Sequence, residues 1–441
     1  MKKLVYLIIF FLYSTVMNAQ LKDLVQYVNT LQGTDSNFGL SYGNTYPTTG
    51  MPYGMHMWSA QTGKNGDGFK YMYAVDKIRA FSQSHQCSPW VSDYAVYSFM
   101  PMVGELVVNQ DARATKFSHD NEIAKPHYYK VTFDNGITTE MAPTTRGVHL
   151  RFSYPTTGDA YLVLDGYTDM SEIKIDPAKR QISGWVNNQR FVNDSKSFRN
   201  YFVVQFDKPF EDYGVWENQK DEVFPQKLDG AGKGYGAFIK FKKGSKVQAK
   251  AASSYISAEQ ALITLNKELG KDKNLEVTKA RGQKTWNEVL NRIVVEGCTD
   301  EQMKTFYSCL FRANLFSRKF YERKENGEPY YYSPYNGKIY DGYMYTDNGF
   351  WDTFRCLFPF LNLMYPSVNK EIQEGLINTY KESGFFPEWA SPGHRGCMIG
   401  NNSASVLVDA YMKGVKVDDV KTLYEGLIHG TENVHPEVSS A

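Results

Sequence analysis

Two hydrophobic periodicities divide the chain. Over residues 21–255, short segments alternate apolar and polar positions, are rich in aromatic and β-branched residues, and are separated by Gly, Pro and Asn. A period of two is typical of β-strands that bury one face. The pattern predicts an antiparallel β-sandwich, and its length favours a jelly-roll or supersandwich domain with long loops over an immunoglobulin-like one.

After residue 257 the apolar positions recur at helical spacing. Ser257 with Gln260, and Thr299 with Gln302, have the capping-box spacing that marks helix N-termini. Two helices are predicted to start at Ser257 and Thr299, and five more are predicted over 275–292, 350–365, 367–381, 402–413 and 418–429. No strand is predicted between these helices. This order, a sandwich followed by a helical linker and then amphipathic helices, is the layout of glycosidases with an (α/α)6 toroid. Only about five of the helices of such a toroid fit before Ala441.

The N-terminus carries a predicted signal peptide over residues 1–19. Lys2 and Lys3 precede a short apolar run and a small-residue cleavage site that ends at Ala19. That run is shorter than the roughly 20 apolar residues that a membrane span needs, so the mature chain is expected to have no transmembrane segment. The two lysines at the N-terminus and the Asn-Ala-Gln cleavage region indicate a bacterial protein that is secreted across the inner membrane. Its expected location is periplasmic or extracellular. The further predicted domains are 20–256 (N-terminal β-sandwich), 257–293 (helical linker) and 294–441 (N-terminal portion of an incomplete toroid).

Composition narrows the class of partner. The 49 basic and 48 acidic residues nearly cancel, and no long run of one sign would steer nucleic acid or an acidic membrane surface to the chain. The 32 tyrosines suit sugar-stacking surfaces, but they suit strand packing as well. The cysteines lack metal-ligand spacing and predict buried thiols with at most one or two disulfides; they are Cys87, Cys298, Cys309, Cys356 and Cys397.

Three segments with candidate chemistry lie in the sandwich region. GNTYP at 43–47 and PYGM at 52–55 contain Gly and Pro residues that predict tight turns around a long loop. The segment 81–94 contains His85 and the sequence Ser-Pro-Trp, which ends at Trp90. An indole between Pro and polar residues is well placed to present a flat face to a sugar ring, and packing on its loop neighbours is the alternative.

The segment TDNGFWDTFR at 346–355 is the most specific. Asp347 or Asn348 is predicted to cap a helix and to leave Trp351 and Asp352 exposed in its first turn. The alternative is that Asp352 only complements the helix dipole and pairs with Arg355, which is worth about 0.3–1 kcal/mol.

A last segment, 384–414, contains Glu388, Trp389 and the sequence GHRGCMIGNN at 393–402. Arg395 is a candidate for gripping sugar hydroxyls, and an ion pair with Glu388 is the alternative. Cys397 has no His partner in the sequence, which favours a small buried residue over a nucleophile.

Together these segments resemble glycoside hydrolase family 92, the calcium-dependent exo-α-mannosidases. The resemblance implies that Trp351 and Asp352 line the pocket for a terminal mannose, and that His85 and Arg395 contribute to substrate binding. The Ser-Pro-Trp form resembles the branch that cleaves α-1,2-linked mannose, where such a residue as Trp90 helps form the leaving-group side. Many relatives carry Asp-His at 401–402, where this chain has two asparagines.

The resemblance also implies an inverting exo-hydrolase acting on a mannose-containing glycan, such as mannan or a high-mannose N-glycan. One carboxylic acid protonates the leaving oxygen and an opposed carboxylate, roughly 6.5–9.5 Å away, activates water. A Ca²⁺ ion held by oxygen ligands is implied to engage two mannose hydroxyls. The family's acid, base and calcium ligands lie in the second half of the toroid, so no catalytic residue and no metal ligand is predicted before Ala441. The chain alone is therefore predicted to release no mannose, and half a toroid to expose apolar helix faces that favour aggregation.

Other hypotheses remain open. A non-catalytic carbohydrate-binding or scaffold protein would use the sandwich and the loop aromatics to bind glycan. Other sandwich-plus-toroid proteins are phosphorylases or polysaccharide lyases, but the segments 346–355 and 384–414 favour a mannosidase over them. A reading frame that continues well past codon 441 would favour the enzyme, and a stop codon there would favour the binding protein. The oligomeric state is not specified by the sequence.

Overall fold

A computed structural model describes residues 21–36, 44–64, 68–87, 89, 92–167, 169–187, 198–398 and 400–435. The predicted signal peptide and Trp90 lie outside the described residues.

Two large antiparallel sheets occupy the N-terminal half. Their strands are β1 Thr49–Gly50, β2 Met57–Gln61, β3 Lys77–Ile78, β4 Ala80–Ser84, β5 Ser98–Val103, β6 Thr115–Lys125, β7 Tyr128–Phe133, β8 Thr138–Pro143, β9 Gly147–Ser153, β10 Ala160–Asp165, β11 Met170–Asp176, β12 Gln181–Val186, β13 Asn200–Phe206, β14 Asp212–Glu217, β15 Glu222–Pro225, β16 Asp229–Lys233, β17 Tyr235–Phe241 and β18 Lys246–Ser254. One sheet has eight strands, ordered β1-β2-β4-β5-β10-β17-β14-β15, and the other has ten, ordered β16-β11-β12-β13-β18-β9-β8-β7-β6-β3. A single core cluster joins the two sheets through residues such as Trp58, Phe99, Phe152 and Ile239. The predicted sandwich is confirmed.

Burial along the strands shows which part of the sandwich meets the helices. β12 alternates partly exposed and buried residues, as expected for a strand with one solvated face. β2 and β4 are instead buried at every position. Met57, at the start of β2, packs with Trp286 and Tyr307 of the helical region. The helical region therefore contacts the start of β2 at Met57.

The α-helices in the described part of the chain agree closely with the predicted spans. They are α1 Ala258–Leu269, α2 Leu275–Leu290, α3 Asp300–Ala313, α4 Phe350–Thr353, α5 Leu357–Met364, α6 Pro366–Ser383, α7 Asn402–Met412 and α8 Val420–Glu432. A short 3₁₀ helix, Leu24–Tyr27, was not predicted. Thr299 and Gln302 form a reciprocal capping box at α3. Ser257 caps α1, but the Gln260 side chain donates to Thr264 and to the Arg323 carbonyl, so that box is not reciprocal. The single helix predicted over 350–365 is split into α4 and α5.

The segment predicted as a linker packs on the sandwich. α1 contacts β13 and β18, and α2 contacts β8 and β9, so both lie on the ten-stranded sheet. The buried Trp286 indole donates a hydrogen bond of 2.8 Å to the Gly50 carbonyl of β1. β18 ends at Ser254 and α1 begins at Ala258; the domain boundaries drawn from the sequence stay predictions.

The prediction that no strand separates the helices is wrong. Short strands form three small sheets between α3 and α7: β19 Arg318–Lys319, β20 Glu322–Arg323, β21 Pro329–Tyr332, β22 Ile339–Asp341, β23 Tyr345–Thr346, β24 Asn348–Gly349 and β25 Trp389–Ala390. All seven of these strands have only two to four residues, too few for an alternating pattern to be visible in the sequence. The tyrosines of β21 have high β propensity and were the available local signal.

Exposed side chains on the helices correct one prediction and agree with another. All five cysteines are free, and Cys298, Cys309 and Cys356 are exposed, so the predicted burial is wrong for these three. Their positions are not covered by another described element. Leu363 and Met412 are 78% and 75% exposed, as expected if apolar helix faces lack a neighbour. Within the described ranges, no helix is both long and apolar enough to cross a membrane.

Candidate active site

The most specific segment of the sequence forms a tight junction between strands and a helix. β23 ends at Thr346, Asp347 follows with φ of 59°, and Gly349 of β24 pairs with Trp389 of β25. A Cβ on Gly349 would lie 2.4 Å from the Trp389 indole, so glycine is required for this approach. The predicted cap of α4 by Asp347 or Asn348 is wrong: Gly349 occupies the N-cap and no side chain caps the helix, since both polar side chains have other partners.

A cavity of about 690 Å³ lies between the sandwich and the helices at this junction. Its volume is in the range of small-molecule sites. The described lining residues are Cys87, Arg312, Phe316, Asp347, Asn348, Gly349, Asp352, Thr353, Leu357, Trp389, Arg395, Cys397 and Met398. A smaller cavity of about 230 Å³ shares Cys87, Arg312 and Phe316 and reaches Tyr46 of the predicted long loop. The sequence segments selected for their chemistry therefore meet at one place.

Asp352 and Arg395 both line the cavity. Asp352 is exposed in the first turn of α4, so its carboxylate is accessible to a ligand. Glu388 accepts hydrogen bonds from the Asn402 amide and the Ser403 hydroxyl, at 3.0 and 3.4 Å, and forms no ion pair with Arg395. The arrangement leaves Arg395 on the cavity wall, as its predicted role in binding sugar hydroxyls requires.

Trp351 is placed differently from Asp352. Its side chain is 39% exposed, and it is not among the described residues that line the cavity. The Arg355 guanidinium lies 5.0 Å from the Trp351 ring centre and donates to the Trp351 carbonyl at 2.8 Å. Among the described ion pairs none joins Arg355 to Asp352, so the alternative pairing considered for Asp352 is absent there. A sugar contact by Trp351 stays a prediction, as it does for Trp90.

His85 is fully buried and is not among the described residues that line the cavity. Its Nδ1 lies 2.9 Å from the Tyr94 carbonyl, so this nitrogen carries the proton. Its Nε2 then accepts hydrogen bonds from His56 Nδ1 at 2.7 Å and from the Tyr255 hydroxyl at 3.2 Å. Burial lowers the pKa of His85, with Arg318 acting in the same direction. The imidazole is therefore a neutral structural link, and its contribution to substrate binding stays a prediction.

Sequence reasoning did not assign a role to the buried ion pair between Arg318 and Asp347. Arg318 and Asp347 are both essentially fully buried, and Arg318 Nε donates to Asp347 Oδ2 at 2.6 Å. The Tyr94 hydroxyl donates to the same oxygen at 2.8 Å, and Arg318 also donates to the Met55 carbonyl. Met55 and Tyr94 belong to the sandwich region, so this network connects the sandwich to Asp347, which lines the cavity.

A buried glutamate near the cavity titrates close to neutral pH. Burial raises the pKa of Glu388 to about 7, although hydrogen bonds from Asn402 and Ser403 oppose the shift. Between about pH 4.5 and 7 the unfolded chain loses this proton while the folded chain keeps it, so stability falls as pH rises through that window. Burial raises the pKa of Glu322 to about 7 as well, so it acts over the same window.

Replacing Glu388 with Gln is expected to make stability less dependent on pH. The amide keeps the shape of the side chain but cannot ionise, so the free energy of unfolding should fall less steeply between about pH 5 and 7. Urea denaturation at several pH values measures the slope, with Glu325→Gln at an exposed position as the control. A slope identical to that of the wild type would mean that Glu388 is already ionised in the folded chain.

The described residues do not by themselves form a calcium site. Within the described ranges, no group of three or more His, Cys, Asp or Glu side chains is close enough together to hold a metal ion. Of the cavity's described carboxylates, Asp347 is paired with Arg318 and Asp352 is exposed. No ligand set for Ca²⁺ can be named from these residues, and no catalytic acid or base is assigned among them.

Two protein-family models match this chain. A family model described as the glycosyl hydrolase family 92 N-terminal domain matches residues 27–254, and one described as the family 92 catalytic domain matches residues 260–440. Together the two matches cover the sandwich and the helical region.

Solved structures share the fold. An inverting family 92 mannosidase from Bacteroides thetaiotaomicron superposes with a TM-score of 0.91 and 47% identity, over 95% of this chain and 56% of that one. A family 92 α-mannosidase from the same organism has a TM-score of 0.81 and 25% identity, over 94% of this chain and 58% of that one. These matches confirm the fold class predicted from the sequence.

A curated relative is more distant. It is an uncharacterized secreted glycosidase from Arthroderma benhamiae, 21% identical over 95% of this chain and 53% of its own length. The chain thus spans a little over half the length of the relatives it matches.

Proposed function

Because the chain belongs to glycoside hydrolase family 92, we propose that the protein carrying it hydrolyses terminal α-linked mannose of mannan or high-mannose N-glycans. The observation that carries the proposal is that Asp352 and Arg395 both line the same cavity. A carboxylate that accepts hydrogen bonds and a guanidinium that donates them are suited to the hydroxyl groups of a pyranose. Trp389 and Leu357 supply an apolar wall for the ring carbons.

The finer parts of the proposal rest on the family and on sequence motifs. Inversion is supported by the relative at 47% identity, which is an inverting mannosidase. An α-1,2 linkage is supported by the Ser-Pro-Trp sequence ending at Trp90, and calcium dependence by the family resemblance alone. Bound Ca²⁺ would supply electrostatic stabilisation to the sugar hydroxyls. Location in the periplasm or outside the cell is supported by residues 1–19 and by the secreted relative.

Mannose release from α-1,2-, α-1,3- and α-1,6-mannobiose tests this function. The longest polypeptide that the gene encodes is expected to prefer the α-1,2 disaccharide, and proton NMR should first detect the β-anomer of mannose. Chelation with EDTA should abolish release, and added Ca²⁺ should restore it. The 441-residue chain assayed in parallel is expected to bind methyl α-mannoside without releasing mannose from any disaccharide. Retention of activity in EDTA, or first release of the α-anomer, would refute the corresponding part of the proposal.

A non-catalytic carbohydrate-binding protein is the second candidate. It is favoured if no mannobiose is cleaved by any polypeptide from the gene while methyl α-mannoside still binds.

A further inference from the structure

One residue joins the two ends of a loop that lines the cavity. This cavity loop, residues 389–398, supplies four of the described lining residues: Trp389, Arg395, Cys397 and Met398. Glu388 directly precedes the cavity loop, and α7 begins after it at Asn402. The Glu388 carboxyl accepts a hydrogen bond of 3.0 Å from the Asn402 backbone amide. The residue before the cavity loop is therefore bonded to the first residue of the next helix.

Glu388 also holds the start of α4. The backbone amide of Phe350, the first residue of α4, donates a hydrogen bond of 3.0 Å to the Glu388 carbonyl. Asp352 lies in the first turn of the same helix. Within the cavity loop, the Arg395 amide donates to the Trp389 carbonyl, also at 3.0 Å. Main-chain hydrogen bonds thus connect Glu388 and its neighbour to both segments that carry the proposed sugar-binding side chains.

The contact between Glu388 and α7 replaces a cap that the helix lacks. Asn401 occupies the N-cap position, but its side chain forms no capping hydrogen bond. The Glu388 carboxyl takes that role, and the Ser403 hydroxyl adds a longer contact of 3.4 Å. A carboxylate at a helix N-terminus is stabilised by the helix dipole, and a hydrogen bond to an ionised acceptor is roughly twice as strong as one to a neutral acceptor. The contact is therefore stronger when Glu388 is ionised.

We propose that Glu388 is a positioning residue, whose carboxylate fixes the cavity loop against α7 and so orients Arg395 and Asp352 for the sugar. Glu388 is 5% exposed and is not among the described residues that line the cavity, so it acts through the loop and not by touching the sugar. Because burial raises the pKa of Glu388 to about 7, the carboxylate is gained as pH rises through neutrality. The inference rests on the proposed function and makes sugar affinity depend on this proton.

Other ionisable groups lie on the elements that surround Glu388. They are Asp352 on α4, His394, Arg395 and Cys397 in the cavity loop, and Asp409 on α7, which pairs with Lys413. Burial lowers the pKa of His394 to about 3 and raises the pKa of Cys397, so both side chains stay neutral around pH 7. Any effect of the remaining groups on affinity persists when Glu388 is replaced, which separates their contribution from that of Glu388.

Calorimetric titration of the 441-residue chain with methyl α-mannoside at several pH values tests this role. The wild type is expected to bind roughly fivefold more tightly at about pH 8.5 than at about pH 5.5, a change at the lower end of those seen between coupled sites. Glu388→Gln keeps the shape of the side chain but cannot ionise, so its affinity should stay near the low-pH value of the wild type throughout. Glu388→Ala loses the contact to Asn402 and should bind more weakly still.

Glu322→Gln is the matched control. Glu322 is fully buried, burial raises its pKa to about 7 as well, and it accepts a hydrogen bond of 2.8 Å from the Tyr255 amide without lining the cavity. This variant should keep the pH profile of affinity that the wild type has. If Glu388→Ala does not fold, Glu388→Gln alone decides the result. Affinity that is independent of pH in the wild type, or an unchanged profile in Glu388→Gln, would overturn the inference while leaving the proposed function intact. Absence of binding by the wild type at every pH would remove both.

Discussion

Replacing Arg318 with methionine is expected to lower the free energy of unfolding by about 3–5 kcal/mol, which is the cost of breaking a buried ion pair by removing one partner. Methionine fills a similar space, but it leaves the Asp347 carboxylate buried without its cation. The variant also removes the hydrogen bonds to the Met55 carbonyl and the Tyr94 hydroxyl, which join the sandwich to the helical region.

Urea denaturation followed by tryptophan fluorescence measures this change. Arg281→Met is the control, because its guanidinium pairs with Asp272 at 2.7 Å but is 45% exposed, so solvent screens this pair more than the buried one and a smaller loss is expected. The double variant Arg318→Met with Asp347→Asn should recover part of the loss, since the uncompensated charge is gone. A change below about 1 kcal/mol for Arg318→Met would show that water or another group compensates Asp347.

Replacing Asp352 with alanine is expected to weaken binding of methyl α-mannoside about 10- to 150-fold, with little change in stability. Hydrogen bonds to a charged group contribute about 1.5–3 kcal/mol, and the variant loses them only when the sugar is bound. Asp352 is exposed and makes no ion pair with Arg355, so the free protein should tolerate the change. Calorimetry measures the affinity, and thermal denaturation measures the stability.

The control variant Asp300→Ala distinguishes a role of Asp352 in sugar binding from a role in stabilising the helix dipole alone. Asp300 also lies in the first turn of a helix, α3, but outside the cavity. Its loss should cost about 0.3–1 kcal/mol of stability and leave affinity unchanged. If Asp352→Ala behaves in the same way, Asp352 only complements the dipole of α4.

The features that sequence predicts well are those with a local physical cause. Alternation of apolar positions located the sandwich, and helix-period spacing with the Thr299 and Gln302 box located α3. The short strands between α3 and α7 escaped prediction because two to four residues cannot display a periodicity. The local rule failed at Asp347, where an Asp before a helix usually caps it but a distant arginine, Arg318, claims the carboxylate.

The site was predictable as a set of motifs and only partly as a geometry. Asp352 and Arg395 were both selected from the sequence, and the structure brings them to one cavity. Asn348 was considered only as a helix cap, because its contact with the Thr353 hydroxyl is visible only after the surrounding chain is folded. Arg318 carried no signal in the sequence, since nothing local distinguishes a buried arginine from a surface one.

The pairing of Gly349 with Trp389 has a consequence for redesign. The Trp389 indole occupies the space where any other residue at 349 would place its Cβ. A change at either position therefore affects the position of the other. A loop exchanged at 384–400 to change sugar preference would shift α4 and its carboxylate unless position 349 were exchanged with it. Libraries that aim to alter specificity should therefore vary these two positions jointly.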